Sequence, residues 1–148
     1  MYYFAYGSNM DPCRMRHRVG RVPPRRLAKL FGYKLVFNKV AKGNSTKGYA
    51  NIQQCSDSVV CGVLYEISKE DIAKLDRYEG FPEHYDRMNV NVETKEGETL
   101  RAITYVARPE KTKEGLQPSK AYLGHLLNAS DILPRWYVEE LKAVSTVD

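Results

Sequence analysis

The sequence predicts a mixed, largely antiparallel α+β fold, and three observations support this. Aromatic and β-branched runs fill the centre of the chain, which is typical of strands. Helix-capping signals stand near both ends and once between the strands. A turn at Glu96-Gly97-Glu98 separates two alternating segments, which predicts an antiparallel hairpin. Strands in the middle with helices around them are typical of α+β proteins, and we expect one such domain over residues 1–148.

The first predicted strand is an aromatic run, residues 2–6, which breaks at Gly7-Ser8-Asn9. Glycine adopts backbone angles that other residues avoid, and serine and asparagine favour turns. Asp11-Pro12 then predicts a helix start, because aspartate is a favourable N-cap and proline fits the first helical position. The loop leaves several backbone N–H groups near one point, which attracts carboxylates, phosphates or an oxyanion. A turn that only holds strand against helix is the alternative.

The central elements follow in order. Residues 26–30 and 33–37 predict two short strands or one bent strand, and a polar loop covers 41–47. Residues 49–54 and 59–67 look like strands that pair with each other around a turn at Ser56-Asp57-Ser58. The remaining predicted elements are the hairpin strands 84–94 and 100–107, a polar loop over 108–117, a helix opened by Pro118-Ser119 and a last helix opened by Pro134.

A short surface helix is predicted between the central strands and the hairpin. Ser68 begins it with a capping signal, Ile72 and Leu75 form an apolar stripe, and Gly80 ends it. Glu79 falls at the helix exit, where the negative end of the helix dipole disfavours a second negative charge. Aromatic neighbours packed around this carboxyl group would also raise its pKa, so that Glu79 accepts and returns a proton near neutral pH. A solvated glutamate is the alternative.

Charge is uneven along the chain. Residues 1–50 contain eleven lysines and arginines and one acidic residue, Asp11, although the net charge of the whole chain is only +5. A basic segment of this kind favours nucleic-acid binding, or it attracts an anionic small substrate toward the loop. No nucleic-acid-binding motif accompanies it, and we expect most of the arginines to be solvated.

The composition predicts a cytoplasmic protein without a membrane span. No apolar run reaches about 18 residues, and the N-terminus lacks the basic lead and long apolar stretch of a signal peptide. Cys13 and His17 are spaced i, i+4 and would share a helix face, although most such pairs are coincidental. His17, His84 and His125 show no ligand motif, so we expect no metal and no cofactor.

Two segments resemble the signature segments of the γ-glutamylcyclotransferase family: residues 3–10, YFAYGSNM, and residues 75–81, LDRYEGF. Residues 48–52 and 62–67 are similar to the central strands of the family. Pro118-Ser119-Lys120-Ala121-Tyr122 and Leu133-Pro134 match its C-terminal pattern, so the resemblance covers nearly the whole chain. It implies a small, largely antiparallel β-barrel with flanking helices.

The resemblance implies an enzyme that closes the γ-glutamyl group of a γ-glutamyl amide into 5-oxoproline and releases an amine or amino acid. The α-amino group of the substrate would be the nucleophile, and Glu79 would be the general acid and base. The loop N–H groups would bind either the α-carboxylate or the oxyanion. The resemblance also implies a homodimer, no cofactor, and no nucleic-acid or membrane partner. The residues that it places along the substrate are Tyr3, Phe4, Ala5, Tyr6, Gly7, Ser8, Asn9 and Tyr122.

Several alternatives stay open at this level. Tyr85 and Arg87 are either pocket-wall residues or ordinary strand positions, and Pro82-Glu83-His84 lies where substrate choice would be tuned. An inactive member of the same fold that binds a ligand or partner, and a basic nucleic-acid-binding module, are the rival functions. An enzyme specific for γ-glutamylamines or for an antibiotic would share the catalytic residues, so the sequence does not separate these substrates.

Overall fold

A computed structural model describes residues 1–148 and contains five β-strands, four α-helices and two 3₁₀ turns. The strands close into a barrel in the order β1-β3-β2-β4-β5, which confirms the predicted α+β barrel with flanking helices. The elements are, in chain order, β1 (Tyr2–Ala5), a 3₁₀ turn (Ser8–Met10), α1 (Pro12–Val19), β2 (Arg25–Ala41), β3 (Asn44–Glu66), α2 (Lys69–Glu79), β4 (Tyr85–Thr94), β5 (Thr99–Ala107), a 3₁₀ turn (Pro109–Lys111), α3 (Lys120–Leu127) and α4 (Arg135–Lys142).

Closure of the barrel depends on the short strand β1. β1 pairs antiparallel with β3, where Phe4 faces Leu64, and parallel with β5, where Tyr3 faces Ile103. The other neighbouring strands all pair antiparallel. Because closure leaves no strand edge unpaired, β1 is held on both sides. The loop that follows β1 therefore starts from a fixed position at one end of the barrel.

Two apolar clusters hold the fold together. One contains buried residues of all five strands, among them Phe4, Leu30 and Val92, and it fills the barrel interior. The other joins the outer barrel surface to the helices, through residues such as Met15 of α1 and Leu75 of α2. Both clusters consist of buried aliphatic and aromatic side chains whose removal from water stabilises the fold. The helix-side cluster fixes α1, α2 and α3 against the barrel end that carries the loop.

The predicted helix starts are confirmed. The Asp11 carboxylate accepts a hydrogen bond from the Cys13 N–H at 2.9 Å, and Pro12 takes the first helical position. Ser68 and Asp71 form a capping box at the start of α2. Ser119 caps α3 through its hydroxyl oxygen. None of the four helices is long and apolar enough to cross a membrane.

The predicted pairing of residues 49–54 with 59–67 is wrong. Both segments belong to the single strand β3, and both pair with β2 rather than with each other. Phe31 faces Val59 and Tyr33 faces Gln54, so the polar residues between Gln54 and Val59 form an irregular excursion without reversing the chain. A polar stretch predicts a turn from local propensity alone, but the long strand β2 offers hydrogen-bond partners on both sides of it.

The predicted polar loop over 41–47 is also shorter in the structure. β2 ends at Ala41 and β3 begins at Asn44, so only two residues connect the strands. The bridge between Ala41 and Asn44 closes this hairpin. Such two-residue connections favour glycine, here Gly43, because its backbone accepts the positive φ of a tight turn. Lys42 consequently lies in the hairpin turn, and Lys47 lies in β3 close to it.

Candidate active site

The loop after β1 forms a single 3₁₀ turn at one end of the barrel. The Met10 N–H donates to the Gly7 carbonyl oxygen at 3.0 Å, and the Asp11 N–H donates to the Ser8 carbonyl oxygen at 3.1 Å. The first N–H groups of such a turn have no acceptor within it. Ser8 and Asn9 are nonetheless buried. The structure thus places the predicted turn and its backbone N–H groups beside a cavity. The residues described next form the rest of the cavity wall.

Glu79 is the last residue of α2 and faces the same place. Gly80 follows it in the left-handed conformation, with φ of 67°, and turns the chain away from the helix. The Glu79 side chain is only 17% exposed. Burial raises the pKa of this carboxyl group above its ordinary value, although the charge of Arg18, the hydrogen bond from Asn9 and the charges of Arg14 and Lys39 act in the opposite direction. The direction of the pKa shift predicted from the sequence is confirmed, and burial is its largest cause.

The side chain of Asn9 connects the loop to Glu79. Its Nδ2 donates to Glu79 Oε1 at 2.9 Å and to the Tyr3 hydroxyl oxygen at 2.9 Å. Its Oδ1 accepts from Arg18 Nη1 at 2.8 Å. Because the guanidinium group can only donate, it requires the oxygen of the Asn9 amide to face it and the nitrogen to face Glu79. Arg18 Nη1 also lies 3.8 Å from Glu79 Oε1, so one cation orients Asn9 and neutralises part of the carboxylate charge.

Tyr122 of α3 lies on the opposite side of the loop. Its hydroxyl oxygen accepts the Ala50 N–H at 3.0 Å. Burial raises the pKa of Tyr122, so the hydroxyl group keeps its proton. A Cβ on Gly7 would lie 3.2 Å from this hydroxyl oxygen and 3.1 Å from the Ala50 Cβ. Close approach, rather than a positive φ, therefore explains the glycine at position 7.

Asp11 holds α3 in the position that presents Tyr122. Its Oδ2 contacts His125 Nδ1 at 2.7 Å and accepts from Asn128 Nδ2 at 3.0 Å. The same carboxyl group caps α1 through Cys13. Burial acts to raise the pKa of Asp11, but these hydrogen bonds outweigh it and leave the pKa lowered. One aspartate thus joins the loop, α1 and α3.

These groups surround a cavity of about 460 Å³. This volume lies within the range of small-molecule sites. Most of the site residues expected from the sequence line it: Tyr3, Tyr6, Gly7, Ser8, Asn9, Glu79 and Tyr122.

Phe4 and Ala5 do not line the cavity. The Phe4 side chain is fully buried in the barrel interior, and its carbonyl oxygen accepts from the Thr104 hydroxyl. Ala5 packs in the cluster beneath the helices, and its methyl group is too short to extend past the strand end. The cavity lies at the end of β1, so residues that follow the strand line it, and Tyr3 lines it with its long side chain.

Of the other residues that the sequence analysis considered, some line the cavity and some do not. Tyr85 lines the cavity and donates its hydroxyl to the Ala50 carbonyl oxygen at 2.8 Å, whereas Arg87 lies outside and contacts Asp76 at 3.5 Å. Of Pro82-Glu83-His84, only His84 lines the cavity. Cys13 is exposed and does not line it. No three His, Cys, Asp or Glu side chains come close enough to hold a metal ion.

Sequence reasoning missed several groups on the cavity wall, among them Arg18, Lys39 and Tyr49. Arg18 was expected to be solvated, yet its side chain is only 14% exposed and contacts Asn9. Lys39 lies between the predicted segments 33–37 and 41–47, and Tyr49 is predicted only as part of a strand, yet both line the cavity. The signal for Lys39 was a single cation within an apolar strand end, Phe37 to Ala41. The face of the sheet on which the Lys39 side chain lies depends on the register of β2, which local sequence does not specify.

A family model described as gamma-glutamyl cyclotransferase, AIG2-like, matches residues 3–124 of the chain. The chain belongs to this family. The resemblance noted in the sequence is confirmed, and the chain is an enzyme of the gamma-glutamylcyclotransferase class.

Known members of the family are similar over nearly the whole chain. The gamma-glutamylcyclotransferase of Homo sapiens is 32% identical, over 99% of this chain and 79% of the human protein. That of Mus musculus is 31% identical, over 96% of this chain and 77% of the mouse protein. A solved gamma-glutamyl cyclotransferase structure superimposes with a TM-score of 0.87 at 30% identity. The match covers 100% of this chain and 89% of the chain in that structure.

A more distant likeness shows the fold alone. A structure of a gamma-glutamyl cyclotransferase specific to glutathione from yeast superimposes with a TM-score of 0.68 at 14% identity. It covers 95% of this chain and 93% of the yeast chain. The gamma-glutamylcyclotransferase barrel is therefore retained where most of the sequence differs.

Proposed function

We propose that this chain cyclises the γ-glutamyl group of a γ-glutamyl amide to 5-oxoproline and releases the free amine, with Glu79 as general base and acid. The observation that carries the proposal is the buried Glu79 carboxyl group, whose pKa is raised and which faces the cavity beside donor groups. A carboxyl group with a raised pKa exchanges protons near neutral pH, and an α-amino group has an ordinary pKa close to 8.

The proposed reaction needs no nucleophile from the protein. Glu79 takes a proton from the α-ammonium group, and the freed nitrogen attacks the γ-carbonyl carbon of the same glutamyl group. A tetrahedral intermediate forms, and its bond to the leaving nitrogen breaks as Glu79 returns the proton to that nitrogen. The ring nitrogen then gives up its second proton through Glu79 to the released amine, which leaves as an ammonium ion, so that 5-oxoproline keeps one N–H. Holding the γ-glutamyl chain in a folded conformation supplies much of the acceleration, because both reacting groups belong to one molecule.

The cavity offers donors for the charge of the substrate and of the intermediate. The 3₁₀ turn presents backbone N–H groups, and such groups stabilise a carboxylate or an oxyanion. The Tyr122 hydroxyl oxygen accepts the Ala50 N–H, so its own proton is free to be donated into the cavity. Asn9 and Arg18 act as positioning residues, because they hold the Glu79 carboxylate through Oε1.

The basic N-terminal segment supports this function over nucleic-acid binding. Four of the six arginines between residues 14 and 26 contact carboxylates of this chain. Arg18 contacts Glu79, Arg21 contacts Asp71, and Arg25 contacts Asp131. Charges that are neutralised within the fold contribute little to phosphate binding. A cytoplasmic location and a homodimer stay predictions.

Product analysis tests the proposal. The purified protein is incubated with a panel of γ-glutamyl amino acids and γ-glutamyl amines, and 5-oxoproline, glutamate and free amine are quantified. We expect 5-oxoproline and free amine in equal amounts. Glutamate in place of 5-oxoproline would indicate hydrolysis by water, and no turnover of any member of the panel would contradict the proposed function.

A further inference from the structure

Lys39 is a buried cation without a carboxylate partner. Only 2% of the residue is exposed, and no other lysine or arginine is buried to this extent. Its Nζ donates to the Val40 carbonyl oxygen at 2.7 Å and lies 5.6 Å from the ring centroids of Tyr49 and Tyr85. An ammonium group has three donors, so two are left for another acceptor. Buried lysines are rare unless they are paired, because burial of an unpaired charge is unfavourable.

The cavity wall has more positive charge than the γ-glutamyl half can neutralise. Glu79 is the only Asp or Glu on this wall, and Arg18 contacts it directly. The γ-glutamyl half of a substrate carries one α-carboxylate. A leaving amino acid with a neutral side chain adds one further carboxylate, and the basic residues of the wall still outnumber the anionic groups. The basic residues of the wall, other than histidines, are Arg14, Arg18, Lys39, Lys42 and Lys47.

Lys39, Lys42 and Lys47 line the cavity on the side formed by β2 and β3. Lys39 pairs across the β2–β3 ladder with Tyr49, and the Tyr49 ring stacks on Tyr122 with centroids 5.0 Å apart. Tyr122 in turn contacts Ala50 next to Gly7. β1 and β2 are separated by one strand, so their backbones lie roughly 10 Å apart. These rings therefore form a continuous surface between the loop and Lys39, along which the leaving half of a substrate would extend if its γ-glutamyl half lay at the loop.

We propose that Lys39, together with Lys42 and Lys47, binds carboxylates on the leaving half of the substrate, and that the preferred leaving group is an acidic amino acid, as in γ-glutamylglutamate. This inference rests on the proposed function. Charge-assisted hydrogen bonds to the two free Nζ donors would satisfy the buried ammonium group. A leaving amino acid with a neutral side chain offers the three lysines only its α-carboxylate, which leaves part of their charge unpaired, and this is unfavourable.

The test compares two substrates that differ by one charge, γ-glutamylglutamate and γ-glutamylglutamine. We expect kcat/KM of the unchanged protein to be about tenfold or more higher for γ-glutamylglutamate, since hydrogen bonds to charged groups are the strong ones. In Lys39→Met this preference falls to about threefold or less, mainly through a higher KM for γ-glutamylglutamate. Lys95→Met is the matched control, because Lys95 is exposed at the β4–β5 turn and does not line the cavity.

The possible results separate the two proposals. Equal kcat/KM for the two substrates in the unchanged protein, or an undiminished preference in a folded Lys39→Met, would overturn the lysine assignment and leave the cyclotransferase function in place. No turnover of any γ-glutamyl amide would overturn both. If thermal melting shows that Lys39→Met does not fold, Lys42→Gln and Lys47→Gln are measured instead. Each is expected to reduce the preference, and no reduction in either would contradict the inference.

Discussion

The two ends of α2 each carry a carboxyl group removed from solvent, and their surroundings shift the two pKa values in opposite directions. At the start, the Asp71 side chain is 6% exposed, and its Oδ2 accepts from the Ser68 N–H at 3.0 Å and from Arg21 Nη2 at 2.6 Å. Burial acts to raise the pKa of Asp71, but these donors outweigh it and leave the pKa lowered. At the end of the helix, burial dominates and raises the pKa of Glu79.

The difference separates a structural carboxylate at one end of the helix from the carboxyl group that we propose as the general base and acid at the other. The positive end of the helix dipole favours the charge of Asp71, and the negative end disfavours the charge of Glu79. Asp71 also receives a direct ion pair, whereas the nearest cation to Glu79 is 3.8 Å away and is shared with Asn9. A carboxylate that is fully paired stabilises the fold but holds no proton to exchange near neutral pH. The incompletely paired Glu79 is suited to proton transfer.

Replacing Glu79 is expected to have the largest effect on activity. Glu79→Gln keeps an oxygen that accepts from Asn9 but removes proton transfer, so kcat/KM should fall by about 10²- to 10⁴-fold. The measurement is the rate of 5-oxoproline formation, together with a circular dichroism spectrum that reports the fold. Glu70→Gln is the control, because Glu70 is exposed in the first turn of the same helix. A folded Glu79→Gln protein with the normal rate would contradict the assignment.

Replacing Asp71 is expected to affect stability instead. Asp71→Ala removes half of the capping box and the partner of Arg21, so the free energy of unfolding should fall by about 1–3 kcal/mol. Urea denaturation measures this change, and kcat should stay unchanged in the folded variant. Glu70→Ala serves as the neighbouring control. Equal stability of Asp71→Ala and the unchanged protein would remove the contrast between the two ends of α2.

The two carboxyl groups should also give opposite pH dependences of stability. A raised pKa means that folded Glu79 binds its proton more tightly than the unfolded chain does. Its favourable contribution is present below the ordinary pKa of 4.5 and is lost as pH rises through the raised value. The contribution of Asp71 is present above its ordinary pKa of 3.8 and is lost as pH falls through the lowered value.

The measurement is urea denaturation between pH 3 and pH 8. Glu79→Gln should be more stable than the unchanged protein near pH 7, by about 1.4 kcal/mol for each pH unit of pKa shift, and this gain should vanish below pH 4.5. The destabilisation caused by Asp71→Ala should instead diminish as pH falls below 3.8. The same pH dependence in both variants would show that the two ends of α2 do not differ in this respect.

The smallest expected effect is a shift in the pH–rate profile of Arg18→Met. Arg18 lowers the pKa of Glu79 against the larger effect of burial. Removing this cation should raise the pKa further, so the acidic limb of kcat/KM moves to higher pH. Arg16→Met on the exposed side of α1 is the control, and its limb should stay in place. An unmoved limb in Arg18→Met would show that Arg18 acts only on the position of Asn9.

Local signals predicted the parts of the site that depend on a few consecutive residues. The N-cap at Asp11, the capping signal at Ser68 and the placement of Glu79 just before Gly80 are all present in the structure. These features depend on hydrogen bonds between residues two to four apart, so the sequence is enough to find them. The irregular excursion in β3 was missed because the partner of a strand is set by residues far along the chain.

The sequence by itself determined the family, the α+β class, and the presence of the loop after β1 and of Glu79 at the exit of α2. Tertiary structure decided which side chains meet. Asn9 and Glu79 are 70 residues apart, and Ala50 and Tyr122 are 72 apart, yet both pairs are hydrogen-bonded at one end of the barrel. Tertiary structure also decided that the Phe4 side chain lies in the barrel interior and that Lys39 lines the cavity. Strand register and barrel closure set these directions, because a shift by one residue reverses the face on which every side chain of a strand lies.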